Sequence, residues 1–172
     1  MSDGVRLAVA GDVAALAAIE VAAGARFRAI GMDGVADDPP IDEAVLAAAA
    51  AEGRLWVAVT DGTVVGYALA VDLGGDASRP HLEQVSVVPE ASGRGIGAAL
   101  VEAVAAWARG RGPMLTLSTF RDVAWNGPWY ASLGFAPVEE PELDEALLAA
   151  RAHEAEAGLD VDARWFMARP TA

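Results

Sequence analysis

The chain has 172 residues, a formal net charge of −13, 54% hydrophobic residues and no cysteine. That excess of acid speaks against nucleic-acid binding, which needs basic patches to neutralise phosphate. The missing thiols exclude disulfides and thiolate chemistry, and with only two histidines a structural metal site is not expected.

The length suits a single domain over residues 1–172 with a full hydrophobic core. No apolar run reaches the ~18 residues of a membrane span. Met1-Ser2-Asp3-Gly4-Val5-Arg6 lacks the charged-then-apolar build of a signal peptide, and with no cysteine a cytoplasmic location is the expectation. The acidic surface favours solubility and could also attract a cationic amine.

Val5 to Val9 alternates as a short first strand. Gly11-Asp12 then predicts a capped helix through Ala23, with Val13, Leu16, Ile19 and Ala23 on one face. Asp33 to Pro40 is acidic, ends in two prolines and is expected to be a mobile surface loop. Ile41-Asp42 opens a second helix that Gly53 ends. Arg54–Thr60 and Thr63–Asp72 make a hairpin about the favoured turn Asp61-Gly62. A polar loop from Leu73 to Pro80 leads to His81–Val88, a strand rich in β-branched residues that Pro89 stops.

Glu90 to Gly97 is a glycine-rich turn, followed by a helix to about Arg109 with Ile96, Leu100, Val104 and Trp107 along one stripe. Met114–Thr119 is the fifth strand. A strand, helix and strand crossing in this order makes a parallel pair. Asn126 reads as the N-cap of a short helix through Leu133, with Pro128 in its first turn. Phe135–Val138 is a strand, Pro141 to about Ala157 an acidic covering or partner-facing helix, and Ala163–Ala168 a last strand. The order of elements is that of a mixed α/β sheet.

A strand that enters a helix through glycines points several backbone N–H groups at one spot, with the partial positive charge of the helix start behind them. Such a turn cradles phosphate, and Arg94 adds a formal charge. Gly93, Gly95 and Ala98 also fit the dinucleotide pattern G-x-G-x-x-A. That reading needs an acidic residue at the tip of the next strand, where Thr119-Phe120 stand, so the nicotinamide reading is weak.

Val85-Ser86-Val87-Val88-Pro89-Glu90, followed at once by Ser92-Gly93-Arg94-Gly95-Ile96-Gly97 and Ala98-Ala99-Leu100, has a later counterpart in Trp129-Tyr130-Ala131-Ser132-Leu133-Gly134-Phe135. Together these motifs resemble the GNAT superfamily of acetyl-coenzyme A-dependent N-acyltransferases. The resemblance implies an α/β fold whose mixed, mostly antiparallel central sheet carries a splayed parallel strand pair and is flanked by helices. It also implies acetyl-CoA as co-substrate, a small-molecule or peptide amine as acceptor, and possible homodimerisation. The segment Ser92, Gly93, Arg94, Gly95, Ile96, Gly97 and Ala98 would hold the pyrophosphate, and the main chain of Val85 and Val87 the pantetheine arm. For Val85 and Val87, ordinary strand core is compatible with that role. Ser92 departs from the family's usual Gln or Arg, which removes one long side chain from the pyrophosphate site.

Acetyl transfer to an amine needs a base for the ammonium and an acid for the departing thiolate. His81 and Glu83 lie two apart on one strand and so share a face with Val85 and Val87. A carboxylate in a partly closed cleft can accept the proton, and Glu83 and His81 are the candidate bases. His81, after Pro80 at the strand entrance, is expected to be exposed. Tyr130 matches the tyrosine that in many family members protonates the leaving thiolate, and its bland alternative is a core aromatic. Many members have an asparagine seven residues before that tyrosine, where Val123 stands here. Asn126 is therefore expected first as a helix cap and second as a cofactor contact. Glu20–Arg28, the loop Asp33–Pro40, and Phe120–Trp125 are the expected acceptor-recognising segments. The competing readings are a GNAT-fold acyl-CoA-binding or sensor module without turnover, and a nicotinamide enzyme.

Overall fold

The computed structural model describes residues 3–74 and 77–172, so Met1-Ser2 of the N-terminal reading and Gly75-Asp76 of the expected loop lie outside it. The chain divides into two compact units, one of residues up to Ala70 with Gln84–Trp107, the other of Val71–Glu83 with Ala108–Ala172.

In the first unit, β1 (Gly4–Leu7) is followed by a 3-10 turn, Ala10–Ala15, and then α1 (Leu16–Gly24). The expected helix start at Asp12 is therefore corrected. The Asp12 carboxylate accepts from the Val9 N–H at 2.8 Å and from Arg6 at 2.7 and 2.9 Å, so it ties the turn to β1. That guanidinium holds Asp12 below the usual carboxylate range. Within the expected loop, α2 (Asp33–Ala36) forms a single helical turn, and Asp37 pairs with Arg28. The Asp42 side chain caps α3 (Glu43–Ala51) by accepting from Ala44 N–H at 2.7 Å.

The hairpin of β2 (Leu55–Thr60) and β3 (Thr63–Asp72) turns through Asp61 and Gly62, both with positive φ, as the Asp-Gly pair predicts. Next come β4 (Pro80–Val87), whose last four residues lie in this unit, and α4 (Ile96–Ala108). Leu16, Leu46, Leu55, Val57, Tyr67 and Leu69 form the heart of the unit's core. The Tyr67 hydroxyl, buried there, donates to the Glu20 carboxylate at 2.5 Å, which also accepts from Ile41 N–H at 3.1 Å.

The second unit holds the first half of β4, then β5 (Met114–Phe120), α5 (Gly127–Ser132), β6 (Ala136–Pro137), α6 (Glu145–Glu156) and β7 (Arg164–Pro170). Strand order is β1-β2-β3-β4 in the first unit and β4-β5-β7-β6 in the second. The sheet is mixed and mostly antiparallel, with β4 and β5 its parallel pair. All seven residues of β5 pair with β7, whereas the parallel ladder to β4 consists of His81↔Thr116 and Leu82↔Leu117. Leu115, Leu117, Phe166 and Met167 are almost wholly buried in this unit. No helix among the described residues is long and apolar enough to cross a membrane.

Candidate active site

In the first unit, Pro89 turns β4 into one 3-10 turn, Pro89–Ala91, and the chain then runs exposed from Ser92 to Gly95. Gly93 and Gly95 have φ of +76° and +78°, conformations a side chain resists, and a Cβ at either would meet nothing within 4 Å. The glycines are there for backbone shape rather than for space. The first bond of α4 runs from Ala99 N–H to Gly95 O at 3.0 Å, so the amides of Ile96, Gly97 and Ala98 precede it. These amides, left without an intrahelical acceptor, and the exposed Arg94 are what a helix start can offer an anion. Ser92 donates its hydroxyl to Val88 O at 3.3 Å instead of extending a long side chain. Val85 and Val87 are half-buried on β4, and they alternate with Gln84 and Ser86, whose side chains bond each other at 2.9 Å.

In the second unit, the β4–β5 register sets His81 beside Thr116, and the period of the strand sets Glu83 on the same face. His81 is 4% exposed, so the expectation of an exposed imidazole is corrected. The cause is packing: Phe166 of β7 approaches the ring edge-on at 6.4 Å, and Thr116 covers Nδ1. Burial, with the nearby Arg164 charge, pushes His81 down to about 4, and the ring is neutral at pH 7. Its Nδ1 lies 2.8 Å from Thr116 Oγ1 and its Nε2 lies 3.9 Å from Glu83 Oε2. That last contact is no ion pair. The Glu83 side chain is 46% exposed. Desolvation pushes its carboxyl up, Glu154 pushes the same way, and His153 and Arg164 oppose them. A half-exposed carboxyl with raised proton affinity is suited to taking a proton from an ammonium.

Asn126 stands at the N-cap position of α5, and Tyr130 lies within the helix. Its start depends on Gly127, where a Cβ would come 2.4 Å from Arg121 O. Asn126 makes no side-chain cap, which corrects the expected role. Its Nδ2 instead donates to Thr119 Oγ1 at the end of β5 at 2.9 Å, and its Oδ1 is buried with no hydrogen-bond partner. Tyr130 is 8% exposed, its ring between Trp129 at 4.8 Å and Phe135 at 5.8 Å.

Three groups around Glu83 escaped the sequence reading. Arg164 opens β7 and binds both oxygens of Glu154 in α6, at 3.1 and 3.3 Å, while His153 of the same helix acts on Glu83 in the direction opposite to Glu154. Nothing local in Arg164, Glu154 or His153 marks them, because α6 and β7 meet β4 only in the fold. The helix expected from Pro141 as a covering or partner-facing element starts at Glu145, and Glu154 and His153 near its C-terminal end act on Glu83. Phe120, expected to line an acceptor pocket, is instead buried under the Arg164 guanidinium, 4.6 Å from its ring centre. Among the described residues, no cluster of three or more acids, histidines or cysteines could hold a metal ion.

The family model described as acetyltransferase (GNAT) matches residues 33–135, more than half of the chain. The fold is similar to that of N-acetylglutamate synthase from Neisseria gonorrhoeae, in a structure with coenzyme A and N-acetyl-glutamate (TM-score 0.72, 21% identity), covering 100% of this chain and 36% of that one. This chain thus spans about a third of the synthase's length. It is also similar to the PaiA N-acetyltransferase from Thermoplasma acidophilum in complex with coenzyme A (TM-score 0.69, 14% identity, 99% of each chain). A GCN5-related N-acetyltransferase structure from Rhodopseudomonas palustris is 26% identical over 81% of this chain and 84% of that one, with a TM-score of 0.61.

Proposed function

Because the chain belongs to the acetyltransferase (GNAT) family, we propose that it transfers the acetyl group of acetyl-CoA directly to a primary amine. The family's co-substrate is acetyl-CoA. The amides of Arg94 to Ala98 hold its diphosphate, and the main chain of Val85 and Val87 receives the pantetheine arm. Glu83 takes one proton from the acceptor's ammonium. The neutral nitrogen then attacks the thioester carbon, a C–N bond forms and the C–S bond breaks. The leaving thiolate takes the Tyr130 hydroxyl proton, and the second proton shed by the nitrogen restores the phenol. The products are an N-acetyl amide and coenzyme A, with no acyl-enzyme, since the chain has no cysteine.

The observation that carries this reading is Glu83: a half-exposed carboxyl of raised proton affinity, 3.9 Å from a buried neutral histidine. The test is thiol release from acetyl-CoA over a panel of amines that includes amino acids, since the synthase was crystallised with an N-acetylated amino acid. Release matched by acetylated product supports transfer. Coenzyme A that raises the melting temperature while no amine releases thiol would leave a binding module without turnover, a reading that Ser92 at the diphosphate turn favours.

A further inference from the structure

We propose that Thr116 is a positioning residue that locks His81 in the tautomer with its hydrogen on Nδ1, so that Nε2 turns a lone pair to Glu83. Two contacts of one hydroxyl carry the argument. Thr116 Oγ1 lies 3.3 Å from Pro80 O and 2.8 Å from His81 Nδ1, with Thr116 2% and His81 4% exposed. A carbonyl only accepts, and a hydroxyl has one hydrogen. If that hydrogen goes to Pro80 O, then Nδ1–H donates to Oγ1 and both contacts are hydrogen bonds. If it goes to Nδ1, two oxygens face each other across 3.3 Å with no hydrogen between them. Only the first assignment satisfies both contacts, and burial leaves little water to rescue the second.

The consequence falls on Glu83. A bare Nε2 repels a carboxylate and accepts from a protonated carboxyl, directly after a small side-chain rotation or through one water. The opposite tautomer would donate to the carboxylate and favour its charged form. Thr116 therefore sets the sign of the influence of His81 and raises the proton affinity of Glu83. The other charged and titratable groups facing the pair are Arg164 from β7 and Glu154 and His153 from α6, and they remain when Thr116 is changed. The inference deepens the proposed function by using Glu83 as its base, but its geometry does not depend on turnover.

The test is nuclear magnetic resonance on the whole chain, with and without acetyl-CoA. In ¹⁵N-histidine-labelled protein, His81 should show a protonated Nδ1 and a bare Nε2 from pH 6 to 9. A hydrogen on Nε2 overturns the proposal. In ¹³C-glutamate-labelled protein, Thr116→Val should lower the Glu83 midpoint, by on the order of one unit, while Thr116→Ser keeps it. An unchanged or raised midpoint in Thr116→Val also overturns it. Where turnover is measurable, the acid limb of kcat/KM should move with that midpoint. If the resonances behave as stated and no amine is acetylated, the proposed function fails and the tautomer assignment stands.

Discussion

The guanidinium of Arg164 donates to the main-chain carbonyl of Ser118 at 3.1 Å, one residue past the last rung of the parallel ladder between β4 and β5. Ser118 is paired with Phe166, whose own carbonyl accepts from Val138 N–H at 2.9 Å on the far side. In an antiparallel pair of this kind both main chains point away from each other, so the Ser118 carbonyl faces away from β7. Arg164 satisfies that carbonyl and also the Ser118 hydroxyl at 3.3 Å, while Glu154 neutralises it. Arg164→Met should cost about 2–4 kcal/mol, since it leaves Glu154 without its cation and a carbonyl without its donor. Urea unfolding checks this. Arg164→Met combined with Glu154→Leu should recover part of the loss, and no recovery would mean that the charge pair is not its source.

Glu83→Gln keeps the shape of the side chain and removes its basicity. The expected result is a 10²- to 10⁴-fold fall in kcat with the acid limb of the pH profile gone. The variant should not be less stable at pH 7. A carboxyl whose proton affinity is raised by folding favours the fold below its unfolded value and opposes it as pH rises through the folded one. A variant that keeps the wild-type rate and pH profile contradicts the role of Glu83.

Tyr130→Phe removes one hydroxyl from a ring held by Trp129 and Phe135. The packing survives, so the expected change is a fall in kcat of at least tenfold with KM nearly unchanged. Leaving groups of lower pKa should suffer less. Wild-type turnover in the variant refutes the acid role.

His81 gives stability a pH dependence of defined sign. Its folded value is about 4 against an ordinary 6.5. Above pH 6.5 both states hold it neutral and nothing is lost. As pH falls from 6.5 towards 4 the unfolded state gains the proton first, and stability drops by roughly 3 kcal/mol across that window. Between pH 7.5 and 4.5 the wild type should therefore lose about 2–3 kcal/mol more than His81→Gln. Equal losses in urea titrations at the two pH values contradict a buried neutral His81.

Where the chain writes its signal locally, the sequence was enough. The Asp61-Gly62 turn and the glycine-rich turn before α4 each rest on a few neighbouring residues, and the parallel pairing of β4 and β5 follows from the order strand, helix, strand. The candidate site was legible as far as β4 reaches, because alternation puts His81 and Glu83 on one face. It stopped there because burial is not local. His81 follows Pro80 at a strand entrance, but Phe166 and Thr116 cover it from β7 and β5. Asn126 has the spacing of a cap, yet Thr119 of β5 holds its amide. Gly127 was passed over because the crowding carbonyl belongs to Arg121, a clash that no helix-start rule contains.

The most direct test of the whole account is a calorimetric titration with coenzyme A at concentrations up to the millimolar range. One molecule should bind per chain, and Arg94→Ala should weaken it several-fold without unfolding the protein, because Arg94 is exposed. Absence of any heat, together with a melting temperature that coenzyme A does not move, would contradict the diphosphate cradle and the acyl transfer built upon it.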